Sequence, residues 1–186
     1  MSAIHEHVLQ NGMTLLCWPQ RHLHGLEFGL YLKGGPLYET EETQGISNLL
    51  EHLCFRGLGG LNREGLLREL NRFGTNLDAA TYAEGLVFRL KCLPRFFDAA
   101  LEYFLRFFAN VAWTPEQIAA EKQVVLRQLE ADGEGDLFDR AACDFRKTEN
   151  GAFPPLGTPE SLMALTEADI QLWQEMIFQP QNACLV

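Results

Sequence analysis

Gly45-Ile46-Ser47-Asn48-Leu49-Leu50-Glu51-His52-Leu53-Cys54-Phe55-Arg56-Gly57 is the stretch whose reading decides the fold. Ile46, Leu49, Leu50 and Leu53 recur at helical spacing and form one apolar face. At about 100° per residue, Asn48, Glu51 and His52 gather within roughly 100° on the opposite face. The stretch therefore predicts a short helix with one side for a core and a tight polar triplet on the other. A solvated helix face would divide in the same way, so the triplet needs support from elsewhere in the chain.

A Glu beside a His, with a third polar group one turn earlier, has the layout H-x-x-E-H. In that layout two imidazoles one turn apart grip a zinc ion and the Glu between them activates its water. Here Asn48 stands where the first imidazole would be. The second informative stretch begins at Thr114-Pro115-Glu116-Gln117, a capping box that opens a long helix. Its apolar stripe is Ile118, Val125 and Leu129, with Val124 at the edge. Glu121 and Gln128 fall inside that stripe, about 10 Å apart along the axis. Burying an unpaired carboxylate is costly, so Glu121 needs a partner. A functional site would supply one, and so would a structural hydrogen bond to a neighbouring helix.

Working outward, His5 to Gln10 and Met13 to Cys17 read as two strands joined by a two-residue Asn11-Gly12 turn. Leu26, Phe28, Leu30 and Leu32 alternate along a third strand. Asn62 caps a helix carrying Leu66, Leu67, Leu70 and Phe73, with Gly74 just past its end. Leu77 to Thr81 and Leu86 to Leu90 read as a pair of strands. Pro94 opens an apolar helix with Phe97, Ala100, Leu101, Phe104 and Phe108 inward. Asp132 to Asp136 is a breaker-rich bend, and a further helical stretch runs to about Arg146. Thr166 caps a last helix with Ile170, Trp173 and Ile177 inward, and Asn182 to Val186 begins a strand. His5 and His7, and His22 and His24, sit at alternate positions but read as polar surface.

Composition narrows the function classes. The 186 residues suit one domain, and 47% apolar content with 11% aromatics excludes disorder. A formal charge of −10 argues against a nucleic-acid partner and is compatible with cationic peptides. Cys17, Cys54, Cys92, Cys143 and Cys184 are odd in number, free of C-x-x-C spacing and set among apolar residues. They read as buried thiols in a reducing compartment, so a cytoplasmic location is expected. The first residues have neither a basic nor an apolar signal region. No 18-residue apolar run is present, so no membrane partner is expected.

Gly45 to His52, followed by Phe55-Arg56-Gly57, resembles the signature of peptidase family M16, which includes pitrilysin, insulin-degrading enzyme and the mitochondrial processing peptidase. Glu121 to Gln128 is similar to that family's E-x-x-x-x-x-x-E helix, and Leu77-Asp78-Ala79-Ala80-Thr81 to its substrate-side strand. Leu156 to Leu162, Leu165-Thr166 and Gln179 to Ala183 resemble its segment before the final strand. The resemblance implies an α+β fold, a mixed, mainly antiparallel sheet of about six strands packed on one face by helices. The long helix would cross the site. It also implies that residues 1–186 form one M16-like domain of a larger clam-shell, partnered by a second such domain or subunit.

Carried over position by position, Asn48, His52 and Gln128 would be the zinc ligands. Glu51 would be the general base and Glu121 the supporting carboxylate. Leu77, Asp78, Ala79, Ala80 and Thr81 would lie against extended peptide. Two of the three ligand positions hold side-chain amides, which are neutral and far poorer zinc ligands than imidazole or carboxylate. The resemblance therefore implies a catalytically degenerate domain, structural or peptide-cradling, with no cofactor. One alternative is an active zinc endopeptidase with unorthodox ligands, Glu121 or Glu130 with His52. Another is a stand-alone peptide-binding module using the sheet edge near Leu77 to Thr81.

Overall fold

Phe28, Leu30 and Leu32 are buried while Glu27, Tyr31 and Lys33 are exposed, so strand β3 (Leu26–Lys33) has one dry face and one wet face. The structure is a computed structural model that describes residues 3–20, 22–58, 61–75, 77–109, 112–131 and 153–186. Seven further strands accompany β3: β1 (His5–Val8), β2 (Thr14–Cys17), β4 (Gly57–Leu58), β5 (Leu61–Asn62), β6 (Leu77–Tyr82), β7 (Gly85–Cys92) and β8 (Ala183–Leu185). Six of the eight form a mixed sheet in the order β1-β2-β8-β3-β7-β6, and β4 pairs with β5 separately. Among the described residues, only the β2–β8 pair is parallel, and β6 is an edge strand bonded to β7 alone. The α+β fold with a mainly antiparallel six-stranded sheet matches the expectation.

The helices α1 (Ile46–Cys54), α2 (Arg63–Phe73), α3 (Phe97–Leu105), α4 (Pro115–Ala131), α5 (Pro159–Ala164) and α6 (Glu167–Ile177) join them. The core lies between these helices and the dry face, where Leu86, Phe88 and Leu90 of β7 continue the row from β3. α1 sits at its centre, with Ile46, Leu49, Leu50 and Leu53 fully buried and α4, α6 and β6 as neighbours. Phe88 and Phe107 anchor one end of the core, their ring centroids 4.4 Å apart. Gly45 enters α1 at φ 83, back to back with Gly157 at φ 71. A Cβ on Gly45 would come within 2.6 Å of the Leu156 carbonyl oxygen, so this approach requires glycine.

Several sequence expectations are corrected. The first hairpin turns over three residues, not two: Gly12 N donates to Leu9 O at 2.9 Å and Leu9 N to Met13 O at 2.8 Å. A two-residue Asn-Gly turn of the favoured kind needs φ above zero at both positions. Gly12 has it, and no described non-glycine residue does. Asn11 instead accepts from Met13 N through its Oδ1. Pro94 opens a 3-10 turn, and α3 itself starts only at Phe97. Its buried side is Ala100, Tyr103 and Phe104, joined by Phe107, whereas Phe97 is partly exposed and Phe108 half-buried. On α2, Leu66 and Leu70 are buried but Leu67 is exposed. Cys54 and Cys92 are buried, Cys184 half-buried and Cys17 exposed at the end of β2. The bend at 132–136, the helical stretch to Arg146 and Cys143 lie outside the described residues. The capping boxes at Thr114 and Thr166 are present, and a third, at Thr158, opens α5.

Candidate functional site

The polar face of α1 is aimed by a buried hub at the helix N-terminus. The Glu39 carboxylate accepts from Gly45 N at 2.8 Å and Ser47 N at 3.0 Å, two of the amides a helix start leaves without partners. Ser47 is fully buried, and its Oγ accepts from Gly35 N and Trp173 Nε1, both at 3.1 Å. Two donors therefore converge on the two lone pairs of this hydroxyl. Burial raises the Glu39 carboxyl above its ordinary range, and the bonds it accepts partly oppose that rise. The hub ties α1 to the turn after β3 and to α6, which fixes its rotation. Neither Glu39 nor Ser47 stood out in sequence, because a Glu six residues before a helix and a Ser in its first turn are ordinary loop and cap residues.

With α1 so held, two of its three polar side chains meet two different elements. Glu51 Oε2 accepts from Thr81 Oγ1 at 2.5 Å, which ties the helix to the edge strand β6. His52 Nδ1 lies 3.4 Å from Glu121 Oε2 on α4. The other Glu121 oxygen accepts from Arg56 Nε, two residues past the end of α1. Glu121 is thus buried with both oxygens engaged, as its place in the apolar stripe of α4 demands. Arg56 was not singled out, although a cation just past α1 was the natural partner for that carboxylate. Asn48 is buried too, 8% exposed, and its Oδ1 finds no partner.

Burial sets the charge states. It raises the Glu51 carboxyl, against the opposing Thr81 bond and the nearby His52. It lowers His52, against the nearby Glu51, and so favours the neutral imidazole at neutral pH.

The structure brings Asn48, Glu51, His52, Thr81 and Glu121 together. Along β6 the side chains alternate: Leu77, Ala79 and Thr81 turn toward the helices, where Leu77 is buried and Ala79 packs on the core. Asp78 and Ala80 project from the opposite face by the same alternation. Gln128 departs from expectation: it is exposed, not inside the stripe. Over the rest of α4 up to residue 130, Val125 is the last buried side chain; Leu126 and Leu129 are half-buried and Arg127, Gln128 and Glu130 exposed. The helix therefore runs past the elements that cover Glu121. Glu130, an alternative ligand, is exposed with it.

The donor set does not fit a zinc ion. It offers one imidazole and an amide oxygen, while the nearest buried carboxylate is already bound to a guanidinium. No group of three His, Cys, Asp or Glu that could hold a metal forms among the described residues. A carboxylate beside one nitrogen of an imidazole, as Glu121 stands to His52, is an arrangement that also orients metal-ligating histidines.

Comparison with known proteins gives the family. The family described as insulinase (peptidase family M16) matches residues 24–147. The chain belongs to peptidase family M16. An uncharacterized zinc protease of Rickettsia felis is 28% identical over 162 residues, which are 86% of this chain and 39% of the relative. A protease from Helicobacter pylori has a similar fold, with a TM-score of 0.88 at 21% identity, covering 99% of this chain and 45% of that one. A structure described as a peptidase M16 inactive domain, from Pseudomonas fluorescens, has a TM-score of 0.84 at 15% identity and covers 98% and 45%. The chain thus spans less than half the length of these proteins.

Proposed function

We propose that the chain is a catalytically degenerate M16 domain that supplies a structural or peptide-cradling surface to a larger peptidase-like assembly. The observation that carries this reading is Asn48, a buried and unpartnered amide where H-x-x-E-H requires an imidazole. Even the loss of an outer-shell partner typically costs a zinc site about 10–100-fold in affinity, and here a ligand itself is replaced. Without a polarised water, Glu51 has no proton to take, and its bond to Thr81 gives it a structural role instead. The edge strand β6 supports peptide cradling, because pairing along an open edge uses backbone groups and needs no metal. The greater length of its relatives supports a second M16-like domain or subunit as partner. The free thiols Cys17, Cys54, Cys92 and Cys184 support a reducing, cytoplasmic setting.

The test is metal analysis by plasma mass spectrometry on protein purified without added zinc, paired with a peptidase assay on an unfolded basic peptide. Less than a tenth of an equivalent of zinc and no cleavage, with or without added zinc, is expected. One retained equivalent and chelator-sensitive cleavage that disappears in Glu51→Gln would overturn the reading. The closeness of His52 to Glu121 favours a second reading, an active enzyme using that pair as ligands. It requires Arg56 to leave Glu121, so Arg56→Met should then raise zinc affinity and activity together.

A further inference from the structure

Asn48 and Glu51 stand one turn apart on the same face of α1, and both present oxygen acceptors that the chain leaves short of donors. Asn48 Oδ1 is buried with no partner, and a buried acceptor in that state is costly enough to expect a donor from outside the chain. Thr81 is the one hydrogen-bond donor that Glu51 meets among the described residues, and it occupies Oε2. The charges at the site are also unbalanced. Glu121 has the Arg56 guanidinium, but no described Lys or Arg comes within ion-pair distance of Glu51. A neutral amide oxygen and a half-satisfied carboxylate form an acceptor-only seat, unsuited to zinc and suited to a nitrogen cation with several N–H donors. Arg56 already places one such cation, against Glu121, in the same site.

We propose that Asn48 and Glu51 seat the cationic side chain of a lysine or arginine carried by an extended peptide lying along β6. The inference rests on the degenerate reading above and names the ligand class for that site. The edge strand supplies the approach. Thr81 points from β6 toward α1 and touches Glu51, so a strand added beside β6 would send every second side chain to that same side. An ammonium on a flexible four-carbon stem, or a guanidinium, reaches acceptors set back from the edge that a short side chain does not. Bound there, it donates to Asn48 Oδ1 and the Glu51 carboxylate and supplies the missing positive charge.

The experiment uses the full chain and the peptide Gly-Ser-Thr-Val-Thr-Lys-Thr-Val-Thr-Ser-Gly amide, labelled with fluorescein at its N-terminus, in anisotropy titrations. Two further peptides carry arginine or norleucine at the lysine position. Hydrogen bonds to a charged donor predict that the lysine or arginine peptide binds at least about tenfold more tightly than norleucine. The stronger of the two identifies the preferred cation. Asn48→Leu and Glu51→Gln should each remove most of that preference, read as the ratio of lysine or arginine to norleucine affinity within each variant. Asn48→Leu keeps side-chain volume and removes the unpartnered acceptor, so a thermal midpoint at or above the parent's shows that the variant folds. Equal affinity for the three peptides, no binding of any of them, or a preference that survives both substitutions would each overturn the proposal. Metal analysis of the same preparation separates the two readings. Bound zinc with cleavage refutes the degenerate site, whereas a zinc-free protein without the cation preference refutes only this inference.

Discussion

Replacing Ser47 with alanine removes one oxygen atom and should cost far more than its size suggests. The Oγ accepts from Gly35 N and Trp173 Nε1 at 3.1 Å each, and the residue is fully shielded from solvent. No water can take its place without opening the core, so the variant strands two buried donors. An unsatisfied buried donor costs about 1–3 kcal/mol, so two of them, partly relaxed, give about 3 kcal/mol. For a domain of this size about 2–4 °C of melting temperature goes with each kcal/mol, which predicts a fall of about 6–12 °C. The assay is thermal unfolding followed by far-ultraviolet circular dichroism at neutral pH. A double-mutant cycle with Trp173→Phe should show the two costs to be non-additive by about 1 kcal/mol, because both remove the same bond. A fall below about 2 °C, or simple additivity, would refute the claim that this hydroxyl fixes the rotation of α1.

Three further outcomes follow from the same structure. Gly45→Ala should cost more than about 2 kcal/mol in urea unfolding, from a left-handed backbone at φ 83 and a Cβ 2.6 Å from the Leu156 oxygen; a shift under about 0.5 kcal/mol would contradict the close approach. Burial lifts Glu39 above 4.5, so the folded state holds this proton more tightly than the unfolded chain does. The stability so gained is full below about pH 4.5 and lost as pH rises through the folded value. The stability of the parent relative to Glu39→Gln should therefore improve from pH 7 toward pH 5, and a flat difference would count against it. Gln128 is exposed and outside the assembled site, so Asn48→His combined with Gln128→Glu should bind zinc no better than Asn48→His alone in a chelator-competition titration. Tight binding by the double variant only would show that position 128 faces the site.

What the sequence made legible and what it hid divide along physical lines. Period-two alternation identified β3, because a sheet with one dry face writes its pattern into consecutive residues. The same logic placed Ile46, Leu49, Leu50 and Leu53, and the capping residues Thr114 and Thr166, whose partners lie three positions away. A wheel gives the direction of an apolar stripe but not how far along the helix its cover extends. Glu121 was therefore placed inside correctly and Gln128, two turns later, was not. Leu67 and Phe97 failed for the same reason, at the rim of a stripe. The site shows the limit more sharply. Spacing assembled Asn48, Glu51 and His52 because they share one helix, and it showed that Glu121 must have a partner. It could not show that the partner was Arg56, 65 positions away, or that α1 is held by a Ser47–Trp173 bond spanning 126. Local chemistry is written locally, but the charge balance of a buried site is settled between elements. Asn48 makes the consequence concrete. Its identity alone suggests a missing zinc ligand, whereas its unpartnered oxygen beside a Glu51 that lacks a cation suggests an acceptor site for a different positive charge.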